Sequence, residues 1–172
     1  MGERQSRLIS ERLVLEPLSE AHADAVVDLF ADPAMSRLLG ADLSDPDLAR
    51  TMVENRLAYD GPPELGHWAV LLDHELVGLA HLRPSAELPG ELPEIGWYLA
   101  ARHGGRGLAT EAARVLLRHG LDDLALHSVW ALVHVDNAPS LRLAQRLGFL
   151  PVGEGHHYNG PHRVHVALPG PR

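Results

Sequence analysis

The chain contains no cysteine, which excludes disulfides, thiolate nucleophiles and Cys-ligated zinc. It contains no lysine either, all 15 basic residues being arginine. That removes Schiff-base chemistry and the lysine of a P-loop. Arginine usage beside abundant Ala, Leu and Gly also fits a GC-rich coding sequence. Long apolar runs are missing: the longest stretch without Asp, Glu or Arg is the twelve residues 124–135, too short to span a bilayer. The opening MGERQSRLIS has no apolar h-region, so nothing in it suggests secretion. A cytosolic protein without a membrane partner is expected. Basic charge is also scarce, with 15 Arg against 23 Asp and Glu, a balance of −8 with neutral histidine. Phosphate backbones demand a concentrated basic surface, so nucleic acid is not the expected partner.

What is present is globular in kind. The 172 residues are 45% hydrophobic and 22% charged, which predicts one domain over residues 1–172 with a core that needs no staples. Residues 10–16 alternate and read as a strand. Ser19 offers an N-cap, and Ala23, Val26, Val27 and Phe30 then fall at helical spacing, stopping near Asp32-Pro33. A second helix is expected from Ser44-Asp45-Pro46 to about Tyr59. Residues 67–72 and 75–82 read as a hairpin around Asp73-His74, 83–93 as a loop and 94–100 as a strand. An amphipathic helix follows with Leu108, Ala112, Val115, Leu116 and His119 on one face. Residues 127–135 are nearly continuously apolar, as in a strand buried on both faces. A short helix over about 138–147 and strands near 149–156 and 163–168 close the chain.

The sharpest local feature is the turn Arg102-His103-Gly104-Gly105-Arg106-Gly107 between a strand and a helix. Glycines permit positive φ and keep side chains away from the amides. Successive N–H groups at a helix N-terminus attract anions, and Arg102 and Arg106 can add charge-assisted bonds. Binding of a pyrophosphate-like group is implied, although the glycines alone fit a plain connection equally well. A P-loop is excluded by the missing lysine, and the spacing and context do not fit a Rossmann fingerprint.

These residues resemble a known family. Arg102, Gly105 and Gly107, in R-x-x-G-x-G at the end of a strand, are similar to the acyl-CoA pyrophosphate loop of GCN5-related N-acetyltransferases (GNAT). The continuation GLATEA (107–112) resembles the RimJ/RimL-type branch. A second block, Asn137-Ala-Pro-Ser140 followed by LAQRLGF (143–149), resembles that branch's N-x-x-S, helix and L-G-F. EIGWYL and ERLVLEPL match the family's fourth and opening strands. The resemblance implies a mixed α/β (α+β) fold: a mostly antiparallel twisted sheet of about seven strands, splayed between the fourth and fifth, with about four flanking helices. It implies acetyl-CoA as co-substrate, an amine acceptor, no metal, and a homodimer as a common arrangement.

Site roles follow from the same resemblance. Backbone groups at Trp97, Tyr98 and Leu99 would pair with pantetheine, and Asn137 would bond its amides from the opposite wall. Amides from Leu108 back through Gly107, Arg106, Gly105 and Gly104 to His103, with the Arg102 and Arg106 side chains, would hold the pyrophosphate. The tyrosine acid of many members is replaced by Ala144. Ser140 is the expected acid beside the thiol sulfur, or else serves the first turn of its helix. Glu94 is the expected base, acting through a water, with Gly96 beside it leaving room for substrate, or else it is an ordinary strand carboxylate. Glu111 is read as structural, bonding a neighbouring strand. His156, His157, His162 and His165 crowd the C-terminal strands without a metal signature.

Acetyl transfer to a protein N-terminus or a small amine, aminoglycosides included, is therefore expected. The alternative is a catalytically silent acyl-CoA-binding module. The acidic balance favours a cationic acceptor. Asp32, Asp42, Asp45 and Asp47 either line the acceptor side or serve as helix caps.

Overall fold

The computed structural model describes residues 4–39 and 41–171. A two-residue β1 (Leu8–Ile9) turns back on β2 (Leu13–Pro17), where Leu13 and Leu15 point inward. Ser19 opens a short 3-10 turn that leads into α1 (Ala23–Phe30). Pro33 does not end the helical region but opens α2 (Pro33–Leu39), with the Asp32 carboxylate accepting the Ala34 N–H at 2.9 Å. A first-turn N–H has no intrahelical acceptor, so proline there loses nothing and starts a helix. α3 (Pro46–Leu57) repeats the device, with Asp45 accepting from Asp47 N–H at 2.9 Å.

β3 (Gly66–Leu72) and β4 (Glu75–Pro84) form the expected hairpin through Asp73 and His74, both at positive φ. After β5 (Pro93–Leu99) come α4 (Leu108–Arg118), β6 (Val129–His134) and α5 (Ala138–Arg146). β7 (Leu150–His157) and β8 (Gly160–Ala167) close the chain as a hairpin. The strands make one sheet in the order β1-β2-β3-β4-β5-β6-β8-β7. Every neighbouring pair is antiparallel except β5–β6, which is parallel. The mostly antiparallel α/β arrangement is as expected; β1 and α2 raise the counts to eight strands and five α-helices among the described residues.

Each face of the sheet has its own core. On one, Leu108, Ala112 and Leu116 of α4 and Ala144 of α5 pack on Leu15, Trp68, Val70 and Ala131. On the other, Val26, Phe30, Met35 and Val53 from the first three helices pack on Leu79. α5 ends in a Schellman motif, in which Gly148 and Phe149 donate to Gln145 and Ala144 carbonyls at 3.0 and 3.1 Å. The L-G-F block is therefore a helix stop that seats Phe149 in the core.

β6 departs from the expectation of burial on both faces. Val129, Ala131 and Val133 are buried, whereas Trp130, Leu132 and His134 are only partly covered. Leu132 and His134 line the cleft that opens where β5 and β6, which share the single register pair Glu94–Trp130, part. Among the described residues, no helix is long and apolar enough to cross a membrane.

Candidate active site

The parting of β5 and β6 opens a cavity of about 350 Å³. β5 and β6 run parallel, so the two sequence blocks that follow them emerge at the same end of the sheet. The glycine turn leaves β5 and leads into α4, while Asn137 leaves β6 and caps α5. Trp97 and Tyr98 line the cavity from one wall, and Leu132, His134, Asn137 and Ser140 from the other. Leu99 packs instead against the core beneath α4.

Gly105 and Gly107 both adopt φ +74°, where a side chain would be strained. A Cβ at Gly105 would stand in open space, with no atom within 4 Å. The N–H groups of His103 and Gly104 are already bonded to the Ala100 and Ala101 carbonyls at 2.9 and 3.0 Å. Those of Gly105, Arg106, Gly107 and Leu108 have no protein acceptor among the described residues, and the helical bonds begin with Glu111 N–H to Gly107. The free cradle is thus narrower than the His103-to-Leu108 span expected from sequence. It suits the diphosphate of an acyl-CoA, since those amides converge at a helix N-terminus. Arg102 is turned toward Glu75, at 2.7 Å, with both side chains exposed. Such a surface pair is worth only about 0–1 kcal/mol, which a phosphate offsets easily. Arg106 lies 3.4 Å from His103 Nδ1. The loop is braced by Arg12, which donates to the Arg106 carbonyl at 2.9 Å and to Glu111 at 2.7 Å; Glu111 also accepts from Ser10 and the Arg12 N–H. Glu111 is therefore bonded to the β1–β2 corner, a structural role.

Asn137 Oδ1 accepts the Ser140 N–H at 3.2 Å, an N-cap that leaves the amide NH₂ free. Ser140 Oγ accepts from Trp97 Nε1 at 3.2 Å, a bond across the mouth of the splayed strands. The hydroxyl hydrogen is left to donate elsewhere. Ala144 is fully buried in the core, so no acid can reach the cavity from that position.

Glu94 is 3% exposed and bonded on both oxygens. Tyr158 donates to Oε1 at 2.7 Å and Ser85 to Oε2 at 2.9 Å, while His81 Nε2 lies 3.5 Å and Arg83 Nη2 3.8 Å from Oε1. Burial pushes the Glu94 pKa up, but His81, Tyr158 and Arg83 together outweigh it and hold the carboxyl below its usual range. Burial drives His81 down to about 4 against the pull of Glu94. The pair is therefore carboxylate and neutral imidazole at pH 7. A Cβ on Gly96 would collide with the His81 ring, so the space that the sequence assigns to substrate holds this imidazole instead.

Asp32 and Asp45 are helix caps and Asp42 bonds Ser44, and neither these three nor Asp47 lines the cavity. The residues that do line it include Arg56, His67, Arg83 and Tyr158, none of which carries a motif. Strand alternation would have put Arg83 on the face of His81, and helical spacing puts Arg56 one turn beyond Met52. Tyr158 arrives from the β7–β8 turn, and nothing local in sequence says where its ring goes. Of the C-terminal histidines, His162 lines the cavity and His165 of β8 is buried; His157 lies 3.5 Å from Glu87 and His156 is exposed.

Comparison with known proteins agrees with this geometry. Residues 12–150 match the acetyltransferase (GNAT) domain family. The uncharacterized N-acetyltransferase p20 of Bacillus licheniformis is 29% identical over 149 residues, 85% of this chain and 83% of that protein. A putative GNAT-family acetyltransferase from Bordetella pertussis superposes with a TM-score of 0.76 at 33% identity, over 94% of this chain and 99% of that one. RimL, a ribosomal L7/L12 alpha-N-protein acetyltransferase solved with coenzyme A, shares the fold at TM-score 0.77 and 18% identity, over 95% and 98%. Since the matched domain takes in both β5–β6 walls and the glycine turn between β5 and α4, this chain belongs to the GNAT family of N-acetyltransferases.

Proposed function

We propose that the protein moves an acetyl group from acetyl-CoA to a primary amine by direct attack in a ternary complex. The observation that carries this is one convergence: the open N–H cradle at 105–108 and the indole-held Ser140 hydroxyl lie at the same end of the parted strands. The cradle with Arg102 and Arg106 would hold the pyrophosphate, the freed edge of β5 at Trp97, Tyr98 and Leu99 the pantetheine, and the Asn137 amide its opposite side. Bound acetyl-CoA supplies an electrophilic thioester carbonyl and a thiolate leaving group.

The residues of this chain supply the proton traffic. Because Ser140 Oγ accepts from Trp97, its hydrogen is directed away from the indole and can be donated to the departing sulfur. Glu94, whose carboxyl is held below its usual range by His81, Tyr158 and Arg83, is a weak base on its own. It acts with His81: the neutral imidazole accepts a hydrogen bond from the attacking amine, and the carboxylate 3.5 Å away stabilises the positive charge that grows there. No covalent step on the protein is required, in keeping with the absence of cysteine.

The buried Ala144 and the wrapped Glu94 also favour a second reading, an acyl-CoA-binding module without turnover. Both readings expect acetyl-CoA to bind, but only the first expects thiol release that depends on an added amine. In that assay Ser140→Ala lowers kcat by about a hundredfold and leaves acetyl-CoA affinity within about twofold. Equal losses of affinity and rate would assign Ser140 to the helix alone.

A further inference from the structure

We infer that the acceptor is a small primary amine that carries an oxyanion, and that the Arg56 guanidinium receives this group. The inference rests on the acetyltransferase reading and names its second substrate. The molecule as a whole is acidic, yet the cavity is not: its ionised lining is Arg56, Arg83 and Glu94. Glu94 is consumed by Tyr158, Ser85, His81 and Arg83, which leaves Arg56 as the cation facing the cavity without a carboxylate within 4 Å among the described residues. Arg56 is half-buried, lies 5.1 Å over the Phe30 ring, and donates from Nη1 to the Met52 carbonyl at 3.1 Å. Those two contacts fix the plane of the guanidinium, and Nε and Nη2 have no protein acceptor among the described residues.

A planar, fixed fork with free donors binds carboxylate or phosphate in bidentate fashion. Burial lowers the Arg56 pKa, but a guanidinium remains charged across the physiological range. The surrounding rings add no compensating charge: His67 and His81 stack edge to face at 5.7 Å, and burial pushes both well below neutrality. With no carboxylate free to receive a second ammonium, a polycation finds no partner here. The volume of about 350 Å³, shared with the thioester end, fits a small molecule.

Paired probes test this by calorimetric titration into the CoA-loaded protein: β-alanine against β-alaninamide for carboxylate, O-phosphoethanolamine against ethanolamine for phosphate, and spermidine as the polycation. The member of one pair that bears the oxyanion binds about tenfold or more tightly than its partner without it, and whichever pair responds identifies the oxyanion. Arg56→Gln abolishes that preference, and Arg56→Lys, which keeps the charge but not the fork, retains part of it. Melting temperatures of both variants separate lost recognition from lost folding. Equal binding within both pairs, absent binding included, or tighter binding of spermidine overturns the inference. A titration with acetyl-CoA alone keeps the two readings apart: if it binds while the pairs show no preference, only the acceptor assignment falls.

Discussion

Gly96 sits opposite His81 in the β4–β5 ladder, and its missing side chain is what lets that imidazole lie across the strand toward Glu94. Gly96→Ala forces the ring aside and destabilises the fold by about 1–3 kcal/mol, read as a lower denaturation midpoint; an unchanged midpoint would show that the ring has room to move. The same histidine gives stability a pH dependence. Its pKa is about 4 when folded and 6.5 in the ordinary state. Between those values the unfolded chain binds more protons, so stability falls as pH drops from about 6.5 to about 4, by at most about 1.4 kcal/mol per unit for this group. His67, driven down by burial beside His81, steepens the slope. Glu94 acts lower: its contribution is complete above pH 4.5 and is lost as pH falls through its depressed folded value. Urea midpoints at pH 7, 6 and 5 should show the histidine slope, and His81→Asn should flatten it. A slope that His81→Asn leaves intact would place its origin elsewhere.

At the scale of elements, the glycine turn is only as ordered as its brace. Arg12 and Glu111 tie the first turn of α4 and the Arg106 carbonyl to the β1–β2 corner, about a hundred residues away in sequence. Removing either partner leaves the other side chain without its bonds, so a double-mutant cycle with Arg12→Ala and Glu111→Ala gives a coupling of about 1 kcal/mol. Acetyl-CoA affinity falls with it, because the cradle loses its anchor. Full affinity in Glu111→Ala would mean that the loop holds its shape unaided. Both ends of this brace are motif-adjacent, and Glu111 was legible as structural because helix position and turn chemistry are local. Pro33 was legible as a boundary but not as the first residue of α2, since proline has the same signature after one helix and before the next. β6 misled for a different reason. Leu132 is apolar yet lines the cavity, and hydrophobic periodicity cannot distinguish a buried side chain from a cavity-lining one.

For the whole molecule, the fold was readable because each of its signals is contiguous: a strand, a glycine turn and a helix, then an asparagine cap and a Schellman stop. The acceptor side was not readable. It is assembled from α3, β3, β4, β5 and the β7–β8 turn, and its charge differs from that of the chain. The chain carries a net −8, whereas the aspartates near α2 and α3 serve as caps or turn bonds and two arginines face the cavity. Net charge describes the surface average, and a cavity is a local selection from it.

We propose that the open amides at 105–108 hold the phosphates of an acyl-CoA. Calorimetric titration with acetyl-CoA tests it most directly when run on the wild type, Gly105→Asn and Gly105→Asp. Asparagine and aspartate are nearly isosteric and both tolerate positive φ better than most residues, so the backbone strain is similar and the added charge is the difference. Micromolar binding by the wild type is expected, with weaker binding by Gly105→Asn and a further loss of about tenfold or more in Gly105→Asp. Equal affinities in all three proteins, or no binding by the wild type, would contradict it.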